Sequence, residues 1–159
     1  MMHNVSNALN YLVEKIICVL LAAMTVVTFA QVVFRIMHGS LPWSEELSRY
    51  MMVYLTFLGL SVGVKRGALI EIEAFMSFFP KSIQRWTAVF VTMLNMAFFY
   101  ILIRYGIKIT MITLRQTSPA MGVKMGYIYA SIAIGAALMM LHSLDSLIQS
   151  FKRAVDGHE

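Results

Sequence analysis

Residues 16–34 read IICVLLAAMTVVTFAQVVF, a run of nineteen residues without a charged side chain. A helix needs about 20 residues, within a range of about 17–25, to cross a hydrocarbon core about 30 Å thick. Three further uncharged runs follow, at residues 50–64, 86–103 and 125–144. The first of these is short, but it suffices if its helix begins at Ser44 and Arg49 extends its charged end toward the lipid headgroups. The sequence therefore predicts four membrane-spanning helices, at about residues 16–34, 44–64, 86–104 and 125–147.

The composition agrees with a membrane protein. Hydrophobic residues make up 59% of the 159-residue chain and charged residues 13%, whereas about 25% of a soluble domain is charged. No run alternates between apolar and polar residues as the strands of a membrane β-barrel do. We therefore expect an all-α integral membrane protein, a helical bundle forming one domain over residues 1–159, with both termini on one side.

Three stretches outside the predicted spans are amphipathic and are expected to lie at the membrane surface. They are residues 4–15, 68–79 and 104–115. Glu71 and Glu73 make the second stretch unsuitable as a fifth span. The third is a continuing helix with a basic stripe, formed by Arg104, Lys108 and Arg115. This stripe faces lipid phosphates or, alternatively, docks an acidic surface of a partner.

The net charge of +5 is attributed to basic residues next to the membrane, which contact lipid headgroups. Nucleic-acid binding is not expected, because no basic stripe carries interleaved aromatic residues on a water-exposed face. Seven basic residues lie on the predicted side of the termini and six on the other. This difference favours cytoplasmic termini only slightly under the positive-inside rule.

The stretch Leu41-Pro-Trp-Ser-Glu-Glu-Leu-Ser-Arg-Tyr50 precedes the second run. Ser44 is expected to cap the helix, and Glu45 to pair with Arg49 four residues later. These local effects leave Glu46 unexplained, because a second negative charge repels the first. A basic group of a partner, or Arg49 shared between both carboxylates, would account for it. The stretch is thus a candidate partner-docking or membrane-anchoring site, comprising Trp43, Glu45, Glu46, Arg49 and Tyr50.

Other polar and small residues predict contacts between helices. Glycines four residues apart allow close helix packing in membranes, and this spacing occurs at Gly59, Gly63 and Gly67. The neighbouring helix could belong to this chain or to another. Gln31 could form a hydrogen bond across helices. His142 and Asp145 are expected to form a pair at the end of a helix rather than a proton relay.

The sequence lacks several patterns that carry catalysis or ion transport. It has no metal-ligand cluster, phosphate-binding loop, dinucleotide fingerprint or nucleophile elbow. No ionisable residue is predicted at the middle of a span, where transporters usually keep such groups. We therefore expect no enzyme activity, no cofactor and no metal, and we interpret the chain as an accessory subunit.

Several motifs resemble those of one family. They are Trp43-Ser-Glu-Glu-Leu-Ser-Arg-Tyr50, Leu58-Gly59, Lys65-Arg66-Gly67 followed by Ile70-Glu-Ile-Glu73, and Ser118-Pro119-Ala120. The chain resembles the small membrane subunit, of DctQ type, of tripartite ATP-independent periplasmic (TRAP) transporters, and is similar to those of sialic acid type. It departs from many relatives at Leu69, where they have His, and at Ala133, where they have Pro.

The resemblance implies a complex with a large multi-span subunit and a periplasmic substrate-binding protein in the bacterial inner membrane. Such a complex imports an organic or sugar acid, of C4-dicarboxylate or sialic acid type, with a sodium gradient. The small subunit would scaffold the large one without binding substrate, and its termini would be cytoplasmic. Two alternatives are an autonomous four-helix exporter, which needs a carboxylate inside the membrane, and an assembly protein without a transport role.

Overall fold

The computed structural model describes residues 2–39, 41–66 and 81–156. They form four helices: α1 (Met2–Ile36), α2 (Pro42–Lys65), α3 (Lys81–Thr113) and α4 (Met125–Asp156). Each contains a segment long and apolar enough to span a membrane, which confirms the prediction of an all-α membrane protein. The expected surface segment at 68–79, with Gly67, Glu71 and Glu73, lies outside the described residues.

The four helices form a row rather than a closed bundle. α4 packs against α2 on one side and α3 on the other, while α1 packs against α2 and touches α4 only slightly. Among the described residues, α3 contacts neither α1 nor α2. The sequence predicted a bundle, but lipid tails are as apolar as the helix surfaces, so there is no hydrophobic force to close the row.

The closest approaches in this row are made at glycines of α3 and α4. A Cβ atom at Gly135 would lie 2.7 Å from the Cβ atom of Phe57 on α2. A Cβ atom at Gly106 would lie 3.1 Å from the backbone nitrogen of Ala133. In contrast, the space around Gly59 is open to 4 Å. Gly59 therefore packs against no described helix of this chain, and its predicted packing remains a prediction for another chain.

The connection between α1 and α2 differs from the sequence-based expectation. Ser44 does not cap α2; its hydroxyl donates a hydrogen bond of 2.7 Å to the Leu41 carbonyl. The helix begins two residues earlier, because Pro42 occupies the first turn, where a fixed φ and a missing N–H are favourable. α1 ends at Ile36. In the turn after it, His38 has a φ of 59° and the Gly39 N–H bonds the Phe34 carbonyl at 2.9 Å, as in a Schellman motif.

Two predicted surface segments belong to the long helices. Residues 4–15 continue directly into the rest of α1. Residues 104–113 continue α3 and pack beside the first half of α4, because Gly106 and Gly126 let the two backbones approach closely. Within the residues whose side chains are described, α3 contains an apolar segment, Phe90–Thr113, long enough to span a membrane.

Candidate functional site

The two ends of the row carry separate clusters of polar side chains. We call the end with the start of α2 and the α3–α4 turn the Trp43 end, and the opposite end the Lys65 end. At the Trp43 end, the Glu46 carboxylate accepts three hydrogen bonds from the turn. The donors are the Ser118 hydroxyl at 2.7 Å, the Ala120 N–H at 3.1 Å and the Met121 N–H at 3.0 Å.

The α3–α4 turn is shaped so that these donors converge. The Ser118 N–H bonds the Val123 carbonyl at 2.9 Å, and the Met125 N–H bonds the Gln116 carbonyl at 2.9 Å. Gly122 adopts a φ of 66°, which closes the loop between these bonds. The Glu46 charge is thus satisfied within the chain by neutral donors. The basic partner or shared Arg49 that the sequence suggested for it is not needed.

The remaining residues of this stretch are more exposed. Glu45 accepts a hydrogen bond of 3.2 Å from Gln31 on α1, which confirms the expected bond across helices. Arg49 is exposed and, within the described residues, forms neither an ion pair nor a side-chain hydrogen bond, so the predicted Glu45–Arg49 pair is not formed. Trp43 is 43% exposed, and the Tyr50 hydroxyl lies 3.5 Å from the Met125 sulfur.

At the Lys65 end, a buried cluster joins α1, α2 and α4. The Lys65 ammonium lies 2.7 Å from the Asp145 carboxylate and donates a hydrogen bond of 2.7 Å to the Ser6 hydroxyl. Ser6 also lies 2.9 Å from Nδ1 of His142. Ser6, His142 and Asp145 are each no more than 2% exposed. His142 and Asp145, which the sequence predicted as a pair, thus both belong to a cluster with contacts across helices.

Sequence reasoning missed this cluster, although each member interrupts or borders an apolar run. Lys65 and Asp145 bound the second and fourth uncharged runs, which run in the same direction and are aligned by the Gly135–Phe57 contact. Because parallel runs that end at the same level bring their flanking charges together, an alignment of these two runs would have suggested the Lys65–Asp145 pair. Nothing in the sequence placed Ser6 beside it. A second, more exposed ion pair, between Arg66 and Glu14 at 2.8 Å, lies nearby.

The predicted basic stripe lies on α3 and just after it. Arg104, Lys108 and Arg115 are exposed, and in the part of the chain that the structure describes they form no ion pair. No three His, Cys, Asp or Glu side chains of the described residues are grouped so that they could hold a metal ion. The arrangement of the described residues supplies contacts that fix helices together, and exposed charges.

The comparison with known families agrees with this arrangement. The family described as tripartite ATP-independent periplasmic transporters, DctQ component, matches residues 24–153. The chain belongs to this family. It is therefore a small permease subunit of a TRAP transporter and a multi-pass protein of the inner membrane, and the resemblance seen in the sequence is confirmed.

Three curated relatives come from Haemophilus influenzae. The sialic acid TRAP transporter permease protein SiaT of strain 86-028NP is 28% identical over 127 residues, or 79% of this chain. The chain spans only 21% of SiaT's length. Two putative TRAP transporter small permease proteins of strain ATCC 51907 are 22% and 24% identical, with 94% and 88% of this chain covered. The matches cover 94% and 85% of those relatives.

Proposed function

We propose that this small permease subunit is a static scaffold for a large multi-span transport subunit and binds no substrate itself. The observation that carries the proposal is the set of polar contacts that hold the helices of the row together at both ends. The Lys65 cluster joins α1, α2 and α4, and Glu46 fastens the α3–α4 turn to α2. Subunits that move substrate usually keep polar groups free near the middle of the membrane, whereas these groups are used to hold helices together.

The complete transporter would import an organic or sugar acid, of C4-dicarboxylate or sialic acid type, by symport with sodium. It would include a periplasmic substrate-binding protein, and both termini of this chain would be cytoplasmic. The name of SiaT supports the sialic acid type. Because the chain matches only 21% of SiaT, most of that permease has no counterpart here and would correspond to a separate large subunit.

The exposed residues of the Trp43 end form the candidate surface for this large subunit or for lipid headgroups. They are Trp43, Glu45 and Arg49, with the half-buried Tyr50 beside them, and Gly59 continues the open side of α2 toward the Lys65 end. Glu46 supports this surface indirectly, because it sets the position of the neighbouring turn. Glu71 and Glu73 remain proposed contacts at the membrane surface.

Co-purification and reconstitution test the proposal. The tagged chain is expected to co-purify with a large multi-span permease subunit from membranes containing both. In proteoliposomes with a sodium gradient and the substrate-binding protein, uptake should require both membrane subunits. Uptake by this chain alone, or undiminished uptake by the large subunit alone, would contradict the scaffold role.

The alternative of an autonomous exporter has less support in the structure. Such an exporter needs a carboxylate within the membrane that is free to exchange a proton for a cargo. Asp145 is the most buried carboxylate among the described residues, and it is paired with Lys65 at 2.7 Å. Transport of a cation by the purified chain alone would restore that alternative.

A further inference from the structure

The uncharged run of α3 is displaced along the helix axis relative to the uncharged run of its neighbour α4. Gly106 on α3 lies beside Ala133 on α4, and the two helices run in opposite directions. In this register, residues 95–114 of α3 lie beside the uncharged run of α4, residues 125–144. The uncharged run of α3 itself covers 86–103. The displacement is about ten residues, or about 15 Å along the helix.

α2 and α4 agree on where the apolar layer lies. Lys65 of α2 is level with Asp145 of α4, and Phe57 is level with Gly135. α1 is tied to α2 near both ends, through Gln31 at one and Ser6 at the other. About 31 Å of helix rise separates Lys124 from Asp145, which matches a hydrocarbon layer of about 30 Å.

In this layer, Arg104 lies at mid-depth. It precedes Gly106 by two residues and is therefore level with Gly135, about 16 Å of rise from Lys124 and about 15 Å from Asp145. Arginine is among the most costly side chains to place there. The headgroups are farther away than its side chain reaches by snorkelling. This inferred position differs from the sequence-based expectation that no ionisable residue lies at the middle of a span.

Arg104 has no partner within the described part of its own chain. It is exposed on the side of α3 that faces away from α4, and Lys108, one turn further, is exposed beside it. Ionisable residues within membrane helices almost always pair with a polar group or face a water-filled cavity. A partner for the Arg104 guanidinium must therefore come from another molecule.

The spacing of exposed residues on the outer face of α3 suits packing against another helix. Within a wider exposed surface, one series of its exposed residues has spacings of four and three: Phe90, Leu94, Ala97, Ile101, Arg104, Lys108 and Met111. This spacing is typical of a seam between nearly parallel helices, the commonest packing in membrane bundles. A groove of about 430 Å³ lies beside this face at the junction of α3 and α4, lined by Lys108, Tyr105, Ile109 and Ile112 of α3 and by Ile132 of α4.

We propose that the outer face of α3 docks a transmembrane helix of the large subunit, and that this helix carries a carboxylate level with Arg104. The choice of partner rests on the proposed function. The outer face of α1 offers no comparable signal, because no charged residue lies between Lys15 and Arg35, and lipid alone satisfies such a surface. Arg104 fixes the depth of docking, and the groove receives a side chain of the docked helix.

Crosslinking from the two outer faces tests the choice of face. In a Cys18→Ser background, a photo-reactive residue replaces either Ile101 on α3 or Val26 on α1, both of which are at least half exposed. The large subunit should be crosslinked from position 101 and not from position 26. Crosslinking from position 26 alone, or only lipid adducts at position 101 in the intact complex, would overturn the proposal.

Removing the Arg104 charge tests whether the docked helix carries a carboxylate. The stability of the isolated chain and its affinity for the large subunit should then change in opposite directions. Arg104→Met should stabilise the isolated chain in lipid nanodiscs by removing an unpaired charge. It should weaken association with the large subunit by about 30-fold or more, because a carboxylate buried in the interface is left without its partner. Arg104→Glu should abolish association, and arginine in place of the partner's carboxylate should restore it.

The controls separate this inference from the function on which it rests. If the unaltered chain does not co-purify with a large subunit, the proposed function fails and this inference with it. If the unaltered chain co-purifies and Arg104→Met binds equally well, the scaffold role stands and only the inference is overturned.

Discussion

The two ends of the helix row stabilise their charges in different ways. At the Lys65 end, a cation and an anion neutralise one another in a buried cluster with Ser6 and His142. At the Trp43 end, Glu46 keeps its negative charge and is held by one hydroxyl and two backbone N–H groups. The first cluster connects three helices, whereas the second connects one helix to one turn.

This difference implies different consequences when the contacts are lost. Breaking a buried ion pair leaves a charge without a partner in an apolar environment and so affects the whole fold. Breaking the hydrogen bonds to Glu46 releases a turn whose groups can be solvated by water. The Lys65 end should therefore determine global stability, and the Trp43 end the local shape of one surface.

The largest effect is expected for Asp145→Ala. The substitution leaves the Lys65 ammonium buried without its counter-ion, and we expect a loss of about 3–5 kcal/mol in the free energy of unfolding. Unfolding of the purified protein in increasing mole fractions of SDS measures it. The double variant Lys65→Met, Asp145→Leu should recover most of the loss, because no charge then remains. Equal instability of the single and double variants would contradict this explanation.

A smaller global effect is expected for Ser6→Ala. The Ser6 hydroxyl is fully buried and contacts both Lys65 and His142. Its removal leaves buried groups with fewer partners, which should cost about 1–3 kcal/mol in the same SDS titration. Thr25→Ala is the matched control, because the exposed Thr25 hydroxyl bonds only its own helix. A loss as large for Thr25→Ala as for Ser6→Ala would show that the cluster is not responsible.

A local effect is expected for Glu46→Gln. The neutral amide offers a single carbonyl oxygen to three donors, so amide hydrogens of residues 117–124 should exchange faster while the SDS unfolding midpoint changes little. Uptake or complex assembly should be impaired more than stability. Glu45→Gln is the control, because Glu45 is exposed and does not contact the turn. Unchanged exchange in the turn would mean that Glu46 does not hold it.

The smallest effect is expected for Glu14→Gln. Its partner Arg66 has a side chain that is 67% exposed, and exposed ion pairs contribute little to stability. The substitution should leave the SDS unfolding midpoint unchanged within error. A shift approaching that of Asp145→Ala would show that the two ion pairs of the Lys65 end act as one unit.

The sequence predicted those features that depend on local chemistry. The uncharged runs revealed four spanning helices, because charged side chains are costly over most of an apolar layer. The motif around Trp43 identified the family. Gln31 was also identified correctly as a residue that bonds across helices, since a strongly polar side chain within an otherwise apolar run needs a partner.

The sequence could not predict features that depend on the relative register of two helices. The donors to Glu46 lie more than 70 residues away along the chain, so local rules attributed its charge to Arg49 or to a partner. The depth of Arg104 depends on the Gly106–Ala133 contact. Charge counting treated α3 alone and therefore placed Arg104 at the edge of the span. Ser44 was misread as a cap because the helix begins at Pro42, two residues before it.

The arrangement of the helices as a row has a consequence for the shape of the assembly in the membrane plane. Helix axes in contact lie about 8–10 Å apart, so four axes in a row extend about 24–30 Å, while the layer is only one helix thick. Docked along its α3 edge, such a row lengthens the assembly sideways instead of thickening it. A longer footprint gives surrounding lipid more leverage against tilting, which is the property that the proposed scaffold role would require of this subunit.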